Sequence, residues 1–439
     1  MREAAVQIVN RLQKAGFDAL WVGGCVRDEL IGRTPHDYDI ATSAVPDEIE
    51  CLFARTIPVG RQFGVMIVFE AGHSIHVATF RADSNYEDGR HPDQVRFCDA
   101  ETDAQRRDFT INGLFFDPVK KIVHDWVGGR RDLLARIIRT IGPPEERFRE
   151  DHLRLLRAVR FAAELDFEVE NGTLEVIRNN ADLIQNVSAE RIREELVRLF
   201  APPHASRGLV LLKDSGLLRS ILPELEACTN CDQSPEFHPE GNVYNHLVRM
   251  LEFLPRDAST TLVWSALLHD VGKPATASRD RSGSIHFYGH EKEGAEIAIK
   301  ILNRFKFSRR QSEDILECVR NHMHFKDVPN MRRATVRRLL LRPTFPLELE
   351  LHRLDCLGSH GRLDTYHSLR REAEALAEQP QWITPWITGR DLIELGMKPG
   401  PQMGRLLKAI RTRQLQGDFK DRTEAKHYAA QAVQTVVFH

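Results

Sequence analysis

The spacing of apolar residues changes near residue 145. Before that point, short apolar runs predict β-strands: ALWV from residue 19, GVMIVFE from residue 64 and SIHVATF from residue 74. After it, apolar residues recur every three or four positions and predict helices, as in EDHLRLLRAVRFAAEL, AERIREELVRLF, GAEIAIKILNRF and TVRRLLL. We therefore predict an α+β head, built as a small β-sheet with helices, followed by a mainly α-helical body.

Proline and glycine clusters divide the chain further. They stand at Gly142-Pro143-Pro144, Pro202-Pro203, PEFHPEGN and Arg342-Pro343. A length of 439 residues predicts two to four domains, at roughly 100–200 residues each. We place a head at 1–140, a helical neck at 141–210, a third domain at 211–345 and a helical C-terminal region at 346–439.

Composition narrows the class of protein. A chain that is 42% hydrophobic and 28% charged can form globular cores. The net charge of -2 gives no global sign of a polyanion partner, so nucleic-acid binding would need local patches. No apolar run approaches the roughly 18 residues of a membrane span, and the N-terminus lacks the apolar core of a secretion signal. We expect a cytoplasmic protein without a membrane partner.

The seven cysteines do not form a disulfide framework, because their number is odd and they are scattered over a long chain. Cys228 and Cys231 form a C-x-x-C pair without the second pair that structural zinc requires. The sequence carries no sign of an oligomeric state.

The first group of residues with chemical potential surrounds two aspartates. Asp37 and Asp39 are two apart in an extended segment, so their side chains leave one face of a strand and offer hard oxygen ligands to magnesium. Gly23 and Gly24 follow an apolar run and let backbone N–H groups approach an anion such as a triphosphate. Arg27 follows at once.

The run G-G-x-V-R-D-x-x-x-G-x-x-x-x-D-x-D resembles the DNA polymerase beta superfamily, in the branch of class II tRNA nucleotidyltransferases and bacterial poly(A) polymerases. Further matching motifs occur in the family's order over about the first 210 residues. They are TFR at 79–81, YEDGRHP at 86–92, RRDFTINGLFFDP at 106–118 and EDHLRLLRAVRF at 150–161.

This resemblance implies that Asp37 and Asp39 are catalytic and hold magnesium ions between the incoming triphosphate and the RNA 3′ hydroxyl. It also implies nucleotide-binding roles for the residues of the motifs. These are Gly23, Gly24, Arg27, Arg106, Arg107, Asp108 and Asn112. One position departs from the family: His76 stands where relatives carry Glu, so either an imidazole contacts the metals or the position lies only near them.

The neck is expected to read the base. Asp151 offers only acceptors and Arg154 only donors, and their three-residue spacing predicts one helix face. Cytosine and adenine present a matching amino donor and ring acceptor, whereas uracil and guanine do not, so the pair selects CTP and ATP. The resemblance assigns the same task to these residues, and Arg157 and Arg160 extend the basic face toward the nucleotide.

A second group lies in the helical body, where histidines and aspartates stand at the edges of apolar runs. Such side chains converging from several helices suit a divalent transition metal. Their order resembles the HD phosphohydrolase superfamily, which implies a metal-dependent phosphodiesterase or phosphatase domain. The implied ligands are His246, His269, Asp270, His290, His322 and Asp355.

RNA could contact the arginines of MRRATVRRLLLRP, or that run could be a solvated helix face; both interpretations stay open. The resemblance implies an RNA-binding C-terminal region and an enzyme that adds C and A to the 3′ end of tRNA. One alternative is A addition alone, to tRNA or as poly(A) tails. The stretch 79–92 argues against CC-only addition. Another alternative is an HD phosphohydrolase with an inactive head.

Overall fold

The computed structural model describes residues 1–84, 94–234, 238–379 and 382–437. It contains two compact units, Met1–Glu226 and Ala227–His439. The predicted order of an α+β head followed by helices is confirmed. Within the described ranges, no helix combines the length and apolarity that a membrane crossing requires.

The first unit contains a seven-stranded sheet and two short strand pairs. Its strands are β1 (Ala19–Val22), β2 (Asp39–Thr42), β3 (Thr56–Gly60), β4 (Val65–Glu70), β5 (His73–Thr79), β6 (Arg81–Ser84), β7 (Gln94–Phe97), β8 (Phe115–Asp117), β9 (Ile122–His124), β10 (Ile137–Ile138) and β11 (Glu168–Val169).

The seven-stranded sheet has the order β3-β4-β5-β2-β1-β8-β9. Strand β1 is buried along its whole length, as a central strand of apolar residues should be. Strands β2 and β5 run parallel, whereas every other neighbouring pair in the described sheet is antiparallel. The parallel register pairs Asp39 with His76. The predicted strands at 19–22, 64–70 and 74–80 are therefore present.

Helices pack around this sheet and then continue the chain. They are α1 (Arg2–Lys14), α2 (Gly24–Leu30), α3 (Pro46–Leu52), α4 (Ala100–Gln105), α5 (Gly129–Ala135), α6 (Pro144–Glu150), α7 (Leu153–Leu165), α8 (Asn171–Asn179), α9 (Ala189–Leu199), α10 (Ala205–Asp214), α11 (Leu217–Ile221) and α12 (Pro223–Glu226).

The described part of the second unit is mainly helical and contains one small hairpin. Its elements are α13 (Val243–Glu252), α14 (Thr260–Leu268), α15 (Lys273–Thr276), β12 (Ser278–Arg279), β13 (Ile285–His286), α16 (His290–Arg304), α17 (Arg309–Asn321), α18 (Arg333–Leu340), α19 (Phe345–Gly358), α20 (Asp364–Ala377), α21 (Gly389–Glu394), α22 (Pro401–Gln416) and α23 (Arg422–Val437).

Part of the arginine-rich run on α18 has a structural role. Arg337 is buried, donates to the Leu415 carbonyl at 2.8 Å and lies over the Trp382 ring. Arg338 donates to the Thr412 hydroxyl at 3.1 Å, so both arginines join α18 to α22. The exposed Arg332 and Arg333 are still available for RNA contact.

Candidate active sites

One cleft of about 830 Å³ in the first unit gathers the residues that sequence motifs assigned to nucleotidyl transfer. Motifs that lie up to about 130 residues apart in the chain thus meet in space. The lining includes Gly23, Gly24, Arg27, Asp37, Asp39, Arg106, Arg107, Asp108, Asn112, Asp151, Arg154, Arg157 and Arg160.

The two aspartates stand at the start of β2. Tyr38 between them is buried while Asp37 is exposed and Asp39 is half-exposed, which is the alternation of an extended chain with both carboxylates on one face. Within the described ranges, neither carboxylate forms an ion pair with a lysine or arginine. Two unneutralised carboxylates on one face fit a divalent cation with oxygen ligands.

His76 extends this face through the parallel pairing of β2 and β5. Its Nδ1 atom lies 3.5 Å from Oδ1 of Asp39. The neighbouring Asp39 carboxylate raises the pKa of His76. The geometry therefore places a neutral or positive group where a third carboxylate would add negative charge.

We predict that His76→Glu lowers the magnesium concentration for half-maximal nucleotide addition by about tenfold, because it adds a charged oxygen ligand beside Asp39. The measurement is turnover across a magnesium titration. Ser74→Glu is the matched control, since Ser74 is exposed on the same strand and face two residues away. Equal magnesium requirements for wild type and His76→Glu would refute a ligand position at residue 76.

Buried carboxylates hold the cleft arginines in place. Asp103, at 1% side-chain exposure, binds Arg106 at 2.7 Å and Arg107 at 2.9 Å. Sequence reasoning missed Asp103, although its i,i+3 and i,i+4 spacing to the two arginines was a usable signal. Gly23 is needed here, because its φ is +75° and a Cβ would lie 3.3 Å from Nη1 of Arg107.

Asp108 forms a second anchor on the cleft wall. It accepts from Arg157 at 2.6 Å and from the Asn112 amide at 3.1 Å. Burial raises the pKa of Asp108, but the charges of Arg157 and Arg154 outweigh it and lower the pKa to about 2. The carboxylate is therefore ionised at neutral pH and fixes these side chains.

Arg27 and Arg160 are more deeply buried than the other cleft arginines. Arg27 donates to the Asn112 side-chain oxygen at 2.8 Å and pairs with Asp28. Arg160 pairs with Glu195 and Glu164. Glu195 had no local sequence signal, because it lies 35 residues from Arg160. These contacts make the two arginines part of the framework that shapes the cleft.

The prediction that Asp151 and Arg154 share one helix face is wrong. Asp151 is extended, with φ -149°, in the break between α6 and α7, and its Oδ1 accepts from the Leu153 N–H at the start of α7. Arg191, 40 residues away in the chain and unpredicted, binds Oδ2 of Asp151 at 2.7 Å. Arg154 lies on α7 and donates to the Arg106 carbonyl at 3.2 Å. Both residues nevertheless line the same cleft.

The predicted histidines and aspartates of the second unit converge as well. Nε2 of His290 lies 3.1 Å from Nε2 of His322, and 3.4 Å from Oδ1 of Asp270. His246 and His269 approach Asp270 closely enough for one ion to bind all three. Asp355 on α19 lies 3.1 Å from Nε2 of His246. Cysteines are absent from the possible ligand groups of the described residues.

Two buried ring nitrogens test whether this cluster fits a metal. Nε2 of His246 and Nε2 of His269 each lie 3.1 Å from a carboxylate oxygen, of Asp355 and Asp270 respectively. Neither nitrogen has a hydrogen-bond partner, so proximity here lacks hydrogen-bonding geometry. Ligand atoms about 3 Å apart form the edge of a coordination sphere with bonds of about 2.0–2.2 Å, and we conclude that the donors fit a transition metal.

The protonation states of Asp270 and His322 favour metal binding, whereas at His246 an ion would have to displace a proton. Burial lowers the pKa of His246, but the carboxylates of Asp355 and Glu240 outweigh it and raise the pKa to about 9. Burial raises the pKa of Asp270, but the neighbouring His269 and Lys273 outweigh it and hold the pKa well below its usual range. Burial lowers the pKa of His322 to about 3, so its ring is neutral at neutral pH.

Gly272 lets the turn after Asp270 meet α16, because a Cβ there would lie 2.2 Å from the His290 carbonyl oxygen.

Models of three protein families match successive segments of the chain. The Poly A polymerase head domain matches residues 19–139, the "Probable RNA and SrmB- binding site of polymerase A" matches 166–229, and the HD domain matches 242–357. The order agrees with the motif order of the sequence.

Curated relatives and solved structures agree with these matches. The CCA-adding enzyme of Lactobacillus helveticus (strain DPC 4571) is 32% identical over 418 residues, covering 93% of this chain and 91% of the relative. The CCA-adding enzyme of Geobacillus stearothermophilus is 44% identical over 224 residues, covering 51% and 55%. The crystal structure of the Bacillus stearothermophilus CCA-adding enzyme in complex with CTP is 27% identical, with a TM-score of 0.74 and coverage of 99% and 98%. This chain belongs to the family of CCA-adding enzymes, which are tRNA nucleotidyltransferases.

Proposed function

We propose that this chain completes the 3′ end of tRNA by adding C, C and A from CTP and ATP, with release of pyrophosphate. The observation that carries the proposal is the single cleft that unites the carboxylate pair Asp37 and Asp39 with the base-reading candidates Asp151 and Arg154. The relatives named CCA-adding enzyme and the similar structure that holds CTP support it.

The roles follow from the chemistry of each side chain. Asp37 and Asp39 would hold magnesium, which activates the attacking 3′ oxygen and stabilises the leaving pyrophosphate. Arg106 and Arg107, fixed by Asp103, orient the triphosphate by charge-assisted hydrogen bonds. Asn112, held between Arg27 and Asp108, lies at the same wall and positions the sugar and phosphates.

Base selection would come from protein side chains because no template strand is required. The Asp151 carboxylate accepts from an exocyclic amino group, and Arg154 donates to a ring nitrogen. A nucleotide with the opposite edge leaves these groups unpaired, which disfavours UTP and GTP. Arg191 keeps the Asp151 carboxylate in one orientation.

The test supplies tRNAs that end before CCA, after C and after CC, plus an unstructured RNA, with each labelled nucleotide in turn. We expect successive addition of C, C and A to tRNA alone. Addition of A only, or tails on unstructured RNA, would replace the proposal by the alternative A-adding or poly(A) activity. Residues 85–92 of the stretch 79–92, which argued against CC-only addition, lie outside the described residues, and the assay covers this case.

We also propose a second activity, metal-dependent hydrolysis of nucleotide or RNA-end phosphates, at the cluster in the second unit. The unpartnered buried Nε2 atoms of His246 and His269 favour it. The HD metal ligands would be His246, His269, Asp270, His290, His322 and Asp355.

We predict that the full chain, with nickel, manganese or magnesium, releases phosphate from 2′-phosphate substrates or opens 2′,3′-cyclic phosphates. Asp270→Asn should reduce the rate of hydrolysis at least about 100-fold, because it removes a charged ligand. Asp257→Asn, at an exposed loop of the same unit, is the control. Wild-type protein without hydrolysis under all three metals would contradict the second activity.

The four-part division into 1–140, 141–210, 211–345 and 346–439, with an RNA-binding C-terminal region, is likewise our proposal. We propose a cytoplasmic location, because tRNA, CTP and ATP are available there.

A further inference from the structure

The four metal-site histidines differ in what holds their second ring nitrogen. In three of them, Nδ1 lies within hydrogen-bond distance of the backbone carbonyl three residues earlier, which directs Nε2 to the centre of the cluster. The contacts are His269 to Ala266 at 2.9 Å, His290 to Phe287 at 2.7 Å and His322 to Val319 at 2.7 Å.

His246 instead uses a side chain. Its Nδ1 lies 2.8 Å from Oε1 of Glu240, which precedes α13 by three residues. The Glu240 side chain is only 5% exposed, and Gly241, with φ +101°, turns the chain directly after it. A buried carboxylate therefore replaces the carbonyl that serves the other three histidines.

Glu240 has a second partner that fixes it in turn. Nδ1 of His238 lies 2.9 Å from the same Oε1 atom, so two ring N–H groups converge on one oxygen. The other oxygen, Oε2, is buried without a hydrogen-bond partner. Burying a carboxylate carries a desolvation cost. The hydrogen bonds described for the Glu240 side chain are those with His246 and His238.

We propose that Glu240 is a positioning residue of the HD metal centre, holding His246 in the tautomer that turns its Nε2 lone pair toward the ion. The inference rests on the proposed metal function of this cluster. A carboxylate partner also makes the imidazole a more basic metal ligand than a carbonyl partner does. His238, which itself lies outside the ligand set, then secures Glu240.

The neighbouring groups agree with this assignment. His246 faces Asp355 on its Nε2 side, where no hydrogen bond forms, and its Nδ1 lies within hydrogen-bond distance of Glu240 on the other side. Gly358 on α19 makes room for it, because a Cβ there would lie 3.3 Å from Cε1 of His246. Among the described contacts of the His246 ring, the one with Glu240 is the hydrogen bond that can fix its tautomer.

The experiment measures nickel and manganese binding to the full chain by calorimetry, with the d–d spectrum of bound cobalt as a second readout. Wild type is compared with Glu240→Gln, Glu240→Ala and the control Glu252→Gln, whose side chain is exposed at the end of α13. We expect the two Glu240 variants to bind 10- to 100-fold more weakly, with an altered cobalt spectrum, and formate to restore part of the affinity in Glu240→Ala.

Wild-type affinity in a folded Glu240→Gln protein, verified by circular dichroism, would overturn the inference while leaving the metal centre in place. Wild-type protein that binds none of the three ions would overturn the metal centre and this inference together. If Glu240→Gln misfolds, formate rescue of Glu240→Ala decides: restored affinity supports the role, and unchanged affinity overturns it.

Discussion

Asp39→Asn is expected to reduce CCA addition by about 10³-fold or more, because it removes one of the two carboxylates that we propose as metal ligands. The loss should fall on the rate of the chemical step. Binding of CTP should change less, since the arginines that Asp103 and Asp108 anchor are untouched. Single-turnover kinetics with tRNA ending before CCA, combined with nucleotide-binding measurements, separates the two.

Folding should be unaffected by this change. The Asp39 side chain is 50% exposed, and its described ionic contact is the 3.5 Å approach of His76. Asp18→Asn, which alters an exposed aspartate of the same unit, provides the control. If Asp39→Asn retained more than about a tenth of wild-type turnover at saturating magnesium, the metal role of this carboxylate would be excluded.

Asp151→Asn is expected to weaken discrimination against UTP relative to CTP by about 10- to 100-fold. An amide can donate where the carboxylate only accepts, so the uracil carbonyl gains a partner and the cytosine amino group loses one. Asparagine keeps an oxygen that can cap α7 at the Leu153 N–H, which limits the structural effect. The ratio of kcat/KM values for the two nucleotides is the measurement.

Arg191→Ala separates the orientation of the Asp151 carboxylate from its recognition of the base. It leaves the Asp151 carboxylate in place but removes the 2.7 Å ion pair that fixes it, so both CTP and UTP should be used less efficiently with a smaller change in their ratio. An unchanged CTP:UTP ratio in Asp151→Asn would mean that another group selects the base.

The sequence predicted local patterns well and long-range partners poorly. The alternation around Asp37, Tyr38 and Asp39 was visible because strand periodicity is local. The break before α7 was missed because the apolar spacing runs on through Asp151, whose own side chain caps the next helix. Arg191 could not be predicted, because its contact with Asp151, 40 residues away in the chain, depends on the packing of α7 against α9.

The same distinction holds in the second unit. Each histidine of the cluster was predicted as a ligand from its place in a chain-ordered series, yet Glu240 was not assigned a role. Its partner His246 lies six residues on, a spacing that gives no periodic signal across a turn. By contrast, at the ends of α14 and α17, His269 and His322 each contact the carbonyl three residues earlier, which follows from helical geometry once these histidines are placed. His290 is the first residue of α16 and reaches the Phe287 carbonyl across the preceding turn.

The parallel pairing of β2 with β5 makes the geometry of the head site sensitive to insertions and deletions within β5. His76 faces the carboxylates, and its neighbour Val77 is fully buried on the other face. A one-residue slip exchanges the two faces of a strand, so it would bury the imidazole and present valine to the metals. A single inserted residue within β5 would thus remove the imidazole from the face of the two aspartates while every candidate ligand kept its identity. Length variation in the β4–β5 hairpin is therefore as informative as substitution when relatives of this enzyme are compared.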